Sequence, residues 1–256
     1  MSRFLLNVIH YTRRATRDYL ETFLIFIIPL GLIIVYGAVF HGDSVMHEGY
    51  NVATSNLAPA FMLSFQFFSG GTMLLLLFKD LKGEMGNRLG AAPCSKHSFL
   101  APAFFANWLY SIFNGILLIV VTSLFLNVYW GNLLVLAIVL ALVSSIAILI
   151  FAIVFLYAKT YSTANGLIYG ISFGMMFLSG WLLVPLGGNP VGDFLLRYTP
   201  LSLGVHSIVF SGMMNDFAFI GEGGGIERSW INIGILVGIA LMLGLIAVIS
   251  ARRRKI

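Results

Sequence analysis

The chain has 256 residues, of which 59% are hydrophobic and 10% are charged, with a mean hydropathy of +0.95. A soluble domain carries about 25% charged residues, so this composition excludes an ordinary soluble domain and indicates a protein of the lipid bilayer. The formal net charge of +5 would suit a nucleic-acid-binding protein, but the distribution of that charge favours membrane topology instead. The single cysteine, Cys94, excludes an internal disulfide framework and a cysteine-rich metal site.

Residues 3–20 are predicted to form an amphipathic helix. One face carries apolar and small side chains at helical spacing: Phe4, Leu5, Val8, Ile9, Thr12, Ala15, Thr16 and Tyr19. The other face is cationic and carries Arg3, His10, Arg13, Arg14 and Arg17. Such a helix lies in the headgroup layer with its cations near anionic lipid. The segment does not read as a cleavable signal peptide, because its apolar run begins late, is long, and lacks a small-residue cleavage site.

Six apolar runs follow, and none of them contains Asp, Glu, Lys or Arg. They cover residues 23–40, 57–78, 101–126, 133–157, 165–186 and 231–250. Each has about the 17–25 residues that a helix needs to cross the hydrocarbon core. Lipid offers no partner to backbone polar groups, so these runs are expected to be helical. The predicted fold class is an all-α integral membrane protein, with six transmembrane helices in a single domain over residues 1–256.

The stretch between the fifth and sixth spans is apolar from Val191 to Met213, but Asp193, Arg197 and Pro200 interrupt it. It is too polar to span the bilayer and too apolar for a free loop. An outer re-entrant or interfacial segment is therefore predicted there.

The Lys and Arg residues predict the orientation. They concentrate in the N-terminal segment, in the loops after the second and fourth spans, and in the C-terminal tail, which leaves only Arg197 and Arg228 on the other side. Positively charged loops stay in the cytosol, so both termini are expected to be cytosolic. A different number of spans would break this alternation.

Catalytic and metal sites are not predicted. His41, Asp43, His47 and Glu48 lie close together in the first outer loop, where a solvated loop is favoured over a weak metal site. No histidine falls within a predicted span, which argues against an intramembrane serine protease. The chain has no G-x-x-x-x-G-K-[ST] loop to hold ATP. The spans also lack the acids and bases that couple transport to protons or sodium.

Uncharged polar side chains do occur within the spans. The candidate site residues among them are Gln66, Ser69, Thr72, Asn107, Ser111, Asn114 and Ser179. Two interpretations stay open: they join helices by hydrogen bonds and close packing, or they line a substrate path between two subunits. The run Ser69-Gly70-Gly71-Thr72 would allow another helix to approach closely, which makes the second span the candidate dimer face.

The loop over residues 78–96, FKDLKGEMGNRLGAAPCSK, carries the most specific pattern in the chain. It resembles the loop between spans two and three of type-2 permeases in ATP-binding-cassette (ABC) exporters. The matching positions are Asp80, Gly83, Arg88, Leu89, Ala92, Pro93 and Ser95. A second stretch, with Leu178-Ser179-Gly180, Pro185 and Tyr198-Thr199-Pro200-Leu201, is similar to that family's exit from span five. Asn87 and Gly90 depart from its usual pattern.

This resemblance implies that residues 79–98 form a cytosolic coupling loop that docks on an ATPase subunit. The coupling residues would be Lys82, Glu84, Arg88, Leu89 and Pro93. Glu84 and Arg88 lie four apart, as on one helix face, and Pro93 would end that helix. An ordinary basic topogenic loop is the alternative.

The partners implied are two copies of an ABC ATPase and a second permease chain, identical or paralogous. ATP and Mg would lie on the ATPase, so the chain itself would be a transporter subunit without a cofactor and not an enzyme. The exported compound would be hydrophobic or amphiphilic, such as a drug, an antimicrobial peptide or a lipid-like molecule. The location would be a bacterial cell membrane, with no nucleic-acid partner. A rival hypothesis is a stand-alone membrane immunity protein that sequesters a toxic peptide without ATP. A membrane-embedded enzyme is the second rival.

Overall fold

A computed structural model describes residues 3–17, 23–39, 46–47, 50–82, 97–179, 190–212 and 225–253. The helices are α1 (Arg3–Ala15), α2 (Ile28–Val39), α3 (Val52–Lys82), α4 (His97–Leu126), α5 (Leu133–Tyr157), α6 (Tyr161–Leu178), α7 (Pro190–Tyr198), α8 (Pro200–Gly212) and α9 (Ile226–Arg253). A π-helical turn, Phe23–Ile27, leads directly into α2. Two short strands, β1 (Met46–His47) and β2 (Tyr50–Asn51), pair antiparallel. Apart from this pairing and short junctions such as residues 127–132 and 158–160, the described chain is helical, which confirms the predicted all-α class.

Four helices are long and apolar enough to cross a membrane. These candidate spans are Thr54–Phe78, Leu100–Leu126, Leu133–Tyr157 and Ile226–Arg253. The span Leu133–Tyr157 begins and ends at the residues predicted from the sequence. The first predicted span corresponds to a shorter apolar helix, Ile25–Val39, and the fifth overlaps the 18-residue α6 and continues into residues outside the described ranges. The count of six spans therefore stays a prediction.

Polar caps fix where two of the helices begin. The Asn132 side chain accepts hydrogen bonds from the backbone N–H groups of Leu134 (2.9 Å) and Val135 (3.4 Å) at the start of α5. Thr160 caps α6 in the same way through the N–H of Thr163. Such caps satisfy donors that the first turn leaves unpaired. The two adjacent long helices are therefore separated by a short polar junction.

Helix α3 lies at the centre of the bundle and packs against α2, α4, α5, α6 and α8. Its fully buried side chains include Leu63, Phe67 and Leu77. Helix α9 packs mainly against α5 and α8, and it exposes large apolar side chains such as Leu241 and Leu245. Those side chains suit contact with lipid.

The segment predicted to be re-entrant or interfacial contains α7 and α8. In α8, residues 201–208 are all buried among α3, α5 and α9. Gly204 makes this close approach feasible, because a Cβ atom there would lie 2.9 Å from Leu63 Cδ1 and 3.0 Å from Val143 Cγ2. Helix α8 is thus a component of the bundle interior.

Contacts between helix ends gather basic residues at one end of the bundle, here called the basic end. The ring of Phe78, near the end of α3, lies 5.9 Å from Phe155 in α5 and 6.4 Å from Tyr161 in α6. The Tyr157 hydroxyl lies 3.4 Å from Ser250 Oγ in α9. The cationic residues of these neighbouring segments are Arg13, Arg14, Arg17, Lys159, Arg252 and Arg253.

The opposite end of the bundle is closed by the junction between α4 and α5. The Tyr129 N–H donates to Ser55 Oγ (3.0 Å) at the start of α3, and the Asn132 N–H donates to Ser211 Oγ (3.3 Å) at the end of α8. Gly131 has a positive φ of 70° and packs directly on the backbone of Gly212. This end therefore ties α3, α5 and α8 together.

Candidate functional site

Uncharged polar side chains from α3, α4 and α5 meet in the bundle interior and form what we call the polar network: Gln66, Ser111 and Ser144. Ser144 Oγ donates to the Leu140 carbonyl of its own helix (2.8 Å) and also lies 3.4 Å from Gln66 Oε1, and the hydroxyls of Ser111 and Ser144 lie 3.2 Å apart. Gln66 Nε2 makes a long hydrogen bond of 3.5 Å to the Ser111 carbonyl. All three side chains are buried. The sequence predicted Gln66 and Ser111, and the structure brings them together.

Ser144 was not predicted from the sequence. It belongs to a Ser-Ser pair within an otherwise apolar span, and this pair is the signal that would have identified it. Its neighbour Ser145 receives a hydrogen bond from the Trp108 indole N–H (3.1 Å), which also lies 3.2 Å from the Ala141 carbonyl. The fourth predicted span thus also contributes polar contacts to its neighbouring helices.

The predicted close helix approach at Ser69-Gly70-Gly71 occurs within this chain. A Cβ atom on Gly70 would lie 2.9 Å from Ala147 Cβ in α5, and one on Gly71 would overlap Ile168 in α6. Asn107 Nδ2 donates to the Gly70 carbonyl (2.9 Å), whereas the buried Asn107 Oδ1 has no hydrogen-bond partner among the described residues. These residues face other helices of the same chain. A dimer contact through the second predicted span would therefore have to use residues of that span that lie at the surface.

Asn114 lies apart from the polar network, on a partly open groove between the π-helical turn, α3 and α4. We call this the amide groove, and it is lined by Gln66, Asn114, Gly115, Met62, Ile25 and Pro29. Its cavity volume is about 10 Å³, roughly the space for one water molecule. Asn114 Nδ2 donates to the Tyr110 carbonyl of its own helix (2.9 Å).

Ser179 is buried at the C-terminal end of α6, away from the polar network. Its hydroxyl donates to the Met176 carbonyl (2.7 Å), and its own carbonyl accepts from Ser202 Oγ (3.3 Å) at the start of α8. The Thr199 and Ser202 hydroxyls lie 2.7 Å apart. Ser179 therefore joins α6 to α8.

The predicted coupling residues lie mostly outside the described ranges. Glu84, Arg88, Leu89 and Pro93 fall in residues 83–96, and the side chains of Lys82 and Thr72 are not described either. The segment between α3 and α4 is shorter at both ends than the predicted loop 79–98, because α3 continues to Lys82 and α4 begins at His97.

Helix α1 is anchored at the basic end, where it contacts the last turn of α3, the turn that precedes this loop in sequence. Val8, Tyr11 and Ala15 are buried, whereas Leu5 and Ile9 of the predicted apolar stripe are exposed. This corrects the predicted stripe: one part of the apolar arc docks on α4 and the rest remains outside.

An ion pair holds α1 to the end of α3. Arg14 Nη1 lies 2.5 Å from Asp80 Oδ2, with side chains that are 37% and 11% exposed. Burial raises the pKa of the nearby Tyr11 to about 12; the Asp80 charge adds to the rise and Arg14 opposes it. Tyr11 is therefore neutral at physiological pH, and the Arg14–Asp80 pair provides the charged contact between the two helices.

His206 is the buried titratable side chain of α8. Its ring stacks on Phe210 (5.6 Å between centroids), and the Arg228 guanidinium lies 5.9 Å from the centroid of the Phe210 ring. Burial, followed by the charges of Arg228 and Arg197, lowers the pKa of His206 to about 4. The imidazole is thus neutral at physiological pH.

Among the described residues, His, Cys, Asp and Glu form no group of three or more suited to a metal ion. His41, Asp43 and Glu48 lie outside the described ranges, and so does the side chain of His47. In comparisons with known proteins, no family model matches the chain and no curated protein is significantly similar to it in sequence. The function is therefore inferred from the chain's own residues.

Proposed function

We propose that this chain is the permease subunit of an ABC exporter, with six transmembrane helices and both termini in the cytosol of a bacterial cell. The observation that carries the proposal is where the charges lie. Among the described residues, the buried polar groups of the central helices are uncharged, and the buried carboxylate, Asp80, lies at the basic end. The described parts of α3, α4 and α5 offer no buried acid or base for proton or sodium coupling apart from Asp80 at the basic end, and the buried imidazole of His206 in α8 is neutral at physiological pH. Energy for transport would enter at an end of the bundle.

The basic end is suited to receive that energy. Helix α1 is latched there to the last turn of α3, and α3 runs directly into the predicted coupling loop at residues 83–96. Movement of an ATPase against this loop would be transmitted to α3, which contacts five other helices. Helix α1 would supply a second contact with the ATPase. Two ATPase subunits and a second permease chain, identical or paralogous, complete the proposed transporter.

The proposed substrate is a hydrophobic or amphiphilic compound. The polar network offers amide and hydroxyl groups without charge, and the surrounding helices are apolar. Such an interior suits neutral amphiphiles better than ions. In the proposed transporter, α7 and α8 would form the outer re-entrant segment, since they connect to the end opposite the basic one.

The test is purification of the C-terminally tagged chain from its native cells in mild detergent. The exporter predicts that a soluble ATPase is recovered in stoichiometric amount and that the complex hydrolyses ATP. Glu84→Lys and Arg88→Glu should abolish ATP hydrolysis while the protein still reaches the membrane. Lys159→Glu is the matched control, because Lys159 is an exposed cation of the basic end outside the coupling loop. A chain that purifies without an ATPase would refute the proposal and favour the stand-alone peptide-binding protein.

A further inference from the structure

The amide groove brings two buried primary amides, Gln66 of α3 and Asn114 of α4, to one apolar cavity. Their exposed fractions are 3% and 6%. The remaining lining is apolar or glycine, and no ionisable side chain takes part. Buried amides normally use most of their hydrogen-bonding groups, because an unpaired buried polar group destabilises the fold.

Both amides retain unused hydrogen-bonding groups. Among the described residues, Gln66 Oε1 has Ser144 Oγ at 3.4 Å, a hydroxyl that also donates to the Leu140 carbonyl, and Gln66 Nε2 makes only the 3.5 Å hydrogen bond to the Ser111 carbonyl. Asn114 Nδ2 donates once, to the Tyr110 carbonyl, and within the described chain its Oδ1 accepts no hydrogen bond. A primary amide has two donors and an acceptor oxygen with two lone pairs. The groove therefore offers both donor and acceptor positions to a further group.

Local backbone features keep this space open. A Cβ atom on Gly115 would lie 2.5 Å from Gln66 Nε2 and 2.7 Å from Leu140 Cδ1, so a larger residue would displace the Gln66 amide. Ile25, which also lines the groove, belongs to the π-helical turn, an irregularity that is often found at functional sites. The glycine and the π-helical turn both border the same groove.

Size and surroundings limit what can enter. The cavity of about 10 Å³ has room for one group of roughly the size of water. A charged headgroup would be larger and would find no counter-ion among the lining residues. Residues that neighbour the lining in sequence, Ile27 and Phe113, are exposed apolar side chains. A long apolar chain could thus extend from the groove along the lipid-facing surface.

We infer that Gln66 and Asn114 form a binding subsite for the hydroxyl end of an uncharged amphiphile, whose apolar chain lies between the π-helical turn and α4. This inference rests on the proposed function, for which it names the substrate class. The polar end would donate to Asn114 Oδ1 and accept from a free amide N–H. The subsite selects against carboxylates and phosphates because nothing in its lining neutralises them.

The test uses the purified full-length chain in detergent and a long-chain alcohol that carries a photoreactive diazirine. Labelled peptides are identified by mass spectrometry. Labelling is expected on the segments that contain Met62 and Leu118, which line the groove. Octanol should compete at concentrations about fivefold or more below those of octane and octanoate, the difference that one hydrogen bond makes.

Variants locate the binding to the groove. Gln66→Leu and Asn114→Leu should each lower labelling about fivefold, and Ile25→Trp should abolish it by filling the groove without touching either amide. Ser172→Ala is the control, since the buried Ser172 hydroxyl of α6 has no hydrogen-bond partner in the described part of the chain and lies outside the groove. All variants are compared after gel filtration has shown the wild-type elution volume.

Equal competition by octane and octanol, or unchanged labelling in both Asn114→Leu and Ile25→Trp, would overturn the subsite. Because photolabelling needs no ATPase, the two proposals fail separately. Selective labelling without a co-purified ATPase would leave the subsite and remove the exporter. An ATPase complex without selective labelling would leave the exporter and remove the subsite.

Discussion

The Arg14–Asp80 ion pair should be asymmetric in its contribution to stability. The Asp80 side chain is 11% exposed and that of Arg14 is 37% exposed. Removing Arg14 leaves the Asp80 carboxylate unpaired and largely shielded from water. Removing Asp80 leaves the Arg14 guanidinium, which can turn to solvent. We expect Arg14→Gln to lower the free energy of unfolding by about 2 kcal/mol and Asp80→Asn by about 1 kcal/mol, both reduced for solvent screening.

The assay is thermal unfolding of the purified variants in one detergent. For a chain of this length, about 1 kcal/mol corresponds to a shift of about 2–4 °C in Tm. The midpoint should therefore fall by about 4–8 °C for Arg14→Gln and by about 2–4 °C for Asp80→Asn. The double variant should resemble Asp80→Asn alone, since it contains no stranded carboxylate. Arg13→Gln is the control, because Arg13 is exposed on the same helix.

Two results would refute this reasoning. If the two single variants lose the same stability, the difference in exposure has no energetic consequence. If their losses add in the double variant, the residues do not interact and α1 is held by Val8, Tyr11 and Ala15 alone. In either case the ion pair would not be the contact that holds α1 to α3.

The remaining predictions concern the opposite end and the interior. The pKa of His206 is about 4 in the folded chain, against about 6.5 when unfolded, so the unfolded state binds the proton more readily. The stability due to the neutral imidazole should be complete above about pH 6.5 and should fall by up to about 3 kcal/mol as the pH approaches 4. Unfolding midpoints across this range should drop less for His206→Gln, and an identical slope would contradict the assignment. Gly131→Ala should lower stability by about 2 kcal/mol, because φ is positive and the new Cβ would meet the Gly212 backbone at 2.8 Å. Gly166→Ala, with no atom within 4 Å of the added Cβ, should not lower it in the same melts. Asn107→Leu should change stability by less than about 1 kcal/mol, because it removes an unpaired buried oxygen together with one hydrogen bond; a loss above 3 kcal/mol would indicate a further role for Asn107.

Hydropathy predicted the helices well where the membrane alone determines them. Helix α5 runs over the predicted residues because a polar cap at Asn132 and the Ala158–Thr160 junction bound an uninterrupted apolar run. The prediction was less accurate for α1. Its apolar arc is wider than the surface of α4 that it covers, so sequence spacing could not separate Val8, which docks, from Ile9, which stays exposed.

The polar network was predicted only in part, because its partners come from three helices. The spacing of Asn107, Ser111 and Asn114 placed them on one face of α4, and all three are buried. Nothing in that spacing shows that Ser111 meets Ser144 while Asn114 turns to a separate groove. The rotation of α4 against α3 and α5 decides this, and that rotation depends on packing over the whole interface.

Glycine patterns show most clearly that sequence spacing does not determine how neighbouring helices are arranged. Outside water, a lipid-facing surface and a helix-facing surface are equally apolar, so small residues are the main sequence sign of close helix contact. Gly70 and Gly71 do mark close helix contacts within the chain, with Ala147 and Ile168 respectively. A Cβ atom added to Gly166 of α6 would meet nothing within 4 Å beyond its own stretch of helix in the described structure. The pattern thus predicts that a backbone can be approached, whereas the arrangement of the neighbouring helices determines whether it is.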